Sequence, residues 1–71
     1  MVTQASMKVD GQKLRRLRNR RVWLIGDLAK KSEVHRNVIS KLENSKGGAY
    51  PETIRKLARA LDVDPVELIK E

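Results

Sequence analysis

Apolar positions in this chain recur at helical spacing, and no window alternates with period two over the length of a strand. Leu14 and Leu17 follow Asp10, a residue type that caps helices, and predict a first helix from Gly11 to about Arg20. Ile25, Leu28 and Ala29 form one apolar face and predict a second, short helix over Trp23 to Lys31. Ser32, Glu33 and Val34 interrupt it. A third helix starts near Arg36 with His35 as its cap, because Val34 and Ile39 then have the spacing of a hydrophobic staple. Ile39 and Leu42 carry its buried side to about Asn44, ahead of a Ser45-Lys46-Gly47-Gly48 loop with flexible glycines. Pro51 suits the first turn of a fourth helix, whose Ile54, Leu57, Ala58 and Leu61 keep the cleanest period in the chain. Asp64-Pro65-Val66-Glu67 combines a cap, a first-turn proline and a glutamate placed to reach back, and predicts a fifth helix. The expected fold is all-α, built from five short helices. Residues 1–9 are short and polar and read as a fraying tail, with the folded domain over 10–71.

Length and composition narrow the function. The 71 residues make one domain. A chain of this size buries about 60% of its unfolded surface, enough for a small core. It has no cysteine and a single histidine, His35, which excludes disulfide scaffolds, thiolate chemistry and imidazole-rich metal sites. No apolar run approaches the ~20 residues that span a bilayer, and no secretory leader is visible. Cysteine-free composition fits a cytoplasmic protein. No nucleophile stands with a base, so neither an enzyme activity, nor a cofactor, nor a small-molecule ligand is expected.

Charge changes the picture most. The net charge is +7, and it is unevenly spread. Residues 1–46 hold 12 basic and 4 acidic residues, whereas residues 47–71 hold 4 basic and 5 acidic. A positive field confined to one part of a small domain attracts polyanions, nucleic acid first and membrane surface second. Trp23 and Tyr50 are the only aromatics, too few for a platform that stacks single-stranded bases, so a duplex is the better partner. Trp23 reads as core and Tyr50 as loop packing.

Two short helices joined by about three residues, the second polar on its outer side, form a helix-turn-helix pattern. Here the pair is Ile25 to Ser32 and Arg36 to Asn44. Leu28, Ala29, Val34, Ile39 and Leu42 supply its internal contact, which frees the outer face of the second helix for a major groove about 12 Å wide.

The run from Leu28-Ala29 through Val34, Ile39-Ser40, Leu42-Glu43-Asn44 and on to Leu57-Ala58 and Leu61 resembles the Cro/phage-repressor, or XRE, family of DNA-binding proteins. The resemblance covers about residues 10–69 and implies a lambda-repressor-like domain with a central helix-turn-helix. It assigns base contacts to Arg36, Asn37 and Lys41. It implies DNA backbone contacts at His35, Ser40, Asn44 and Lys46, and the backbone N–H of Ile25 remains available for one at the helix start. It implies a structural pair between Arg18 and Glu43. The sequence departs from the family pattern at Leu24-Ile25, where Gln and a hydroxyl cap are common, and at Val22 and Glu33, where glycine is common. Arg15, Arg16, Arg20 and Arg21 read equally as a solvated face or as one or two phosphate contacts, with Arg20 taken as a DNA backbone contact because a helix packed beside the helix-turn-helix pair lies near the backbone.

The resulting expectation is a sequence-specific double-stranded DNA-binding protein, a small regulator or repressor. It acts as a homodimer through Val66 and Ile69 on a pseudo-palindromic operator. The alternative is an antitoxin or adaptor module that uses the same helices to bind another protein.

Overall fold

The computed structural model describes residues 5–70. Four α-helices follow one another where the apolar period puts them: α1 (Gly11–Arg20), α2 (Ile25–Ser32), α3 (Arg36–Glu43) and α4 (Pro51–Leu61). Asp10 caps α1 as its residue type predicts, its carboxylate accepting from the Lys13 N–H at 3.1 Å. The second helix begins two residues later than its apolar residues suggest. Trp23 lies outside the helix, and its carbonyl accepts from Arg18 at 2.6 Å instead of starting a helix ladder. The α2 cap position is Leu24, which has no polar side chain. Asp27 compensates in part by accepting from the Leu24 N–H at 2.8 Å.

The fifth helix is a single 3-10 turn, Pro65–Leu68. Asp64 caps it through the Val66 N–H at 3.1 Å, but Glu67 does not reach back to complete a capping box. The Glu67 carboxylate instead lies 3.4 Å from Lys13 Nζ on α1.

Leu14, Leu28, Ile39, Leu42, Leu57, Leu61 and Leu68 are fully buried, so α1 to α4 and the final turn share one core. Trp23 is half-buried at its edge, with the Arg21 guanidinium 5.7 Å from the ring centroid. Tyr50 precedes α4 and is exposed, so it packs less than expected of a loop anchor.

The segment read as a fraying tail contains structure that periodicity cannot signal. Strand β1 (Met7–Lys8) pairs antiparallel with β2 (Gly48–Ala49), Met7 opposite Ala49. Val9 is buried and bridges to Ile69, while the Asp10 N–H donates to the Leu68 carbonyl at 2.8 Å. Both the start of the described chain and the loop after α3 are thereby fastened to the C-terminal segment. Residues 1–4 of the expected tail lie outside the described residues. Gly48 is pinned, not slack: a Cβ there would overlap the Met7 backbone.

Candidate nucleic-acid interface

The corner between α2 and α3 is built from backbone outward. Glu33 takes a left-handed conformation at φ 61°, and its N–H donates to the Ala29 carbonyl at 2.9 Å. The buried Ser32 hydroxyl donates to the Leu28 carbonyl at 2.7 Å and accepts from the Val34 N–H at 3.2 Å. That hydroxyl ties the last turn of α2 to the middle residue of the turn, a role no spacing rule revealed. Val34 then buries its side chain, and His35 caps α3 by accepting from the Asn37 N–H on Nδ1 at 3.1 Å. Accepting there leaves the ring proton on Nε2, so exposed His35 keeps a donor for an incoming group.

The outer face of α3 follows from helix geometry. At about 100° per residue, Arg36, Ser40, Asn37 and Lys41 fall within an arc of about 140°. Asn44, which closes the helix, continues the same line. Ile39 and Leu42 occupy the opposite side and Glu43 flanks the arc beside Arg36; all three are buried. Arg36, Asn37, Lys41 and Asn44 are exposed and Ser40 is half-buried. Thus the three expected base readers and two of the expected backbone contacts share one open surface. Arg36 lies across the start of α2, where Gly26 leaves room: a Cβ at Gly26 would stand 3.2 Å from its guanidinium.

Orientation of that surface depends on how α3 meets α1. Arg18 grips Glu43 with both ends of its fork, Nε to Oε2 at 2.7 Å and a terminal nitrogen to Oε1 at 2.9 Å. The Glu43 side chain is 1% exposed and that of Arg18 is 11% exposed. The pair implied by the resemblance is therefore present and nearly dry. The hydrogen bond to Glu43 raises the Arg18 pKa above the ordinary arginine value; burial opposes the shift and attraction to the carboxylate adds to it. A cation whose pKa the fold raises stabilises the fold while its carboxylate partner is ionised, and loses that contribution as pH rises into strong alkali. Arg15 adds a third contact to the carboxylate at 3.3 Å. Gly11 makes the approach possible, since a Cβ there would collide with the Leu42 carbonyl oxygen and crowd that of Glu43. Sequence reading missed this role because Gly11 also stands at a helix start, where glycine is unremarkable.

The remaining expected contacts are more scattered. Lys46 is exposed in the loop after α3, and Arg20 is exposed in the last turn of α1. The Ile25 N–H lies at the α2 start, but the Asp27 carboxylate shares that end and reduces its appeal to an anion. Among the described residues no helix is long and apolar enough to cross a membrane, and no group of His, Asp and Glu is placed to hold a metal ion.

A family model described as a helix-turn-helix domain matches residues 11–69. The chain belongs to the helix-turn-helix domain family. The Cro/phage-repressor-like assignment read from its motif stands with that match, and this helix-turn-helix protein is by class a DNA-binding regulator. Its fold is similar to that of the restriction-modification controller protein C.AhdI from Aeromonas hydrophila. The two are 36% identical over 83% of this chain and 89% of that one, with a TM-score of 0.77. A hypothetical transcription factor, NHTF from Neisseria, is 23% identical over 99% of this chain and 90% of its own, with a TM-score of 0.74, and shares the fold. No curated protein matches the chain.

Proposed function

We propose that this protein binds double-stranded DNA in a sequence-specific manner, with α3 in the major groove, and represses transcription by occupying an operator. The observation that carries this reading is the single arc of exposed Arg36, Asn37, Lys41 and Asn44, with half-buried Ser40 among them, on a helix that buries Ile39 and Leu42. Arg36 and Lys41 suit the acceptors O6 and N7 of guanine, and Asn37 suits N6 and N7 of adenine. His35, Ser40, Asn44, Lys46, Arg20 and the Ile25 N–H contact the backbone and set the register. Likeness to a restriction-modification controller supports a regulatory, non-enzymatic role. Such a protein works in the cytoplasm, on the nucleoid.

The protein acts as a homodimer on a pseudo-palindrome. Support comes from an apolar groove lined by Met7, Pro51, Ile54, Pro65, Val66 and Ile69, in which Val66 is 67% exposed. Leu68 turns inward instead, so the expected two-fold contact through Val66 and Ile69 uses one 3-10 turn and not a full helix.

Selection of bound duplexes from a random pool tests the whole reading. The expected product is a symmetric motif with half-sites one helical turn apart. Binding should weaken with salt at a log–log slope near −0.9 per phosphate contacted. An unstructured pool together with salt-independent binding would favour the adaptor or antitoxin reading. A monomeric mass in sedimentation at high micromolar concentration would remove the dimer.

A further inference from the structure

Arg15 stands outside the residues assigned to DNA, yet it is tied to one of them. Its Nε donates to Glu43 Oε1 at 3.3 Å, and a terminal nitrogen donates to Asn44 Oδ1 at 3.2 Å. A guanidinium is a rigid planar fork that spans two acceptors at once. One of those acceptors is immobile, because the buried Glu43 carboxylate is already held by both ends of Arg18. Arg15 therefore extends from a fixed post on α3 to the residue that closes the same helix. The Asn44 amide has an acceptor end and a donor end. With Arg15 on Oδ1, Nδ2 turns away from the guanidinium; the reversed amide would set donor against donor. Phosphate oxygens only accept, so the orientation that Arg15 selects is the one a DNA backbone requires.

We propose that Arg15 is a positioning residue of the DNA interface: by bridging Glu43 and Asn44 it fixes the Asn44 amide with its N–H donors presented to a phosphate. The inference rests on the reading that α3 enters the major groove. The Arg15 side chain is 50% exposed and cationic, so its charge also attracts DNA, and the test must separate charge from shape. Lysine retains the charge and lacks the fork.

The full chain and the duplex selected from the random pool provide the assay. Dissociation constants are measured for Arg15→Lys, Asn44→Ala and the double variant, alongside thermal melting of each. Asn44→Ala should weaken binding about three- to tenfold, as expected for one hydrogen bond. Arg15→Lys should weaken it comparably with unchanged melting and unchanged salt slope, and the double variant should bind no worse than Asn44→Ala. Wild-type affinity in Arg15→Lys would mean that only charge matters and would overturn the proposal. So would additive losses in the double variant, or no loss in Asn44→Ala. Failure of the DNA reading itself is seen earlier, as absence of sequence-dependent binding by the unsubstituted chain, and it takes this proposal with it.

Discussion

Two contacts hold this small domain together, and they are made of different things. Helix α3 is fixed to α1 by a polar lock, in which buried Glu43 answers Arg18 and Arg15 while Gly11 admits the α3 backbone. Helix α4 is held to α2 and the final turn by Leu57, Leu61 and Leu68, without an ion pair to them among the described residues. Apolar burial is non-directional and tolerates small rotations, whereas a bidentate ion pair has one good geometry. The helix whose rotation is specified is the one whose polar face must meet a partner. A turn of α3 about its axis would move Arg36, Asn37, Ser40, Lys41 and Asn44 together, but a comparable turn of α4 would move none of them.

The strongest way to break this contrast is Arg18→Ala. It strands the Glu43 carboxylate in the interior without its main partner, which costs about 3–5 kcal/mol where a buried pair is broken. Urea unfolding should show that loss, and an effect within error of zero would mean the carboxylate finds water. Replacing both residues, Arg18→Met with Glu43→Leu, should return most of the stability yet blur discrimination between the selected site and its single-base variants. Full discrimination in that double variant would show that the lock does not set the orientation of α3.

Leu57→Ala probes the other contact. Truncating a fully buried leucine costs about 2–5 kcal/mol. At a temperature where the variant remains folded, its ratio of affinities for the selected site and a mismatched site should be unchanged. A changed ratio would place α4 in control of the interface.

Smaller in energy, but closer to function, are Arg36→Ala and Asn37→Ala. Each should cost about 1–3 kcal/mol on the selected duplex and leave binding to unrelated sequence nearly intact. Equal losses on all sequences would reassign them to phosphate contacts.

The contrast also explains what was legible in the sequence. Helices α1 to α4 could be read because their apolar period is local and each core residue lies a turn from the next. The α3 outer face could be read for the same reason, since it is the complement of Ile39 and Leu42. Arg18 with Glu43 came only through the family resemblance, because nothing local to either residue names its partner 25 positions away. The β1–β2 pair was invisible, since two-residue strands carry no period. Glu67 had the spacing of a capping box, but a one-turn helix beside Lys13 offered it a better partner across space. Asp27 at the third position after Leu24 was a visible signal for the start of α2 at Ile25, and it outweighed the apolar pull of Trp23.

The smallest expected effect concerns the two turns that frame α2. Val22 and Glu33 replace the glycines common in the family, and both nevertheless keep left-handed backbone, at φ 56° and 61°. Both positions therefore carry strain, about 1–2 kcal/mol for an L-residue in that region. Glycine removes the strain but adds freedom to the unfolded chain, which returns about 0.4–1 kcal/mol. Val22→Gly and Glu33→Gly should therefore each stabilise the fold by up to about 1.5 kcal/mol. The gain should be larger at Val22, whose branched Cβ is the poorer fit and whose side chain, 89% exposed, loses no packing. Thermal melting measures both. Destabilisation by Val22→Gly would show that the exposed valine contributes to the fold through contacts it does not make in this conformation.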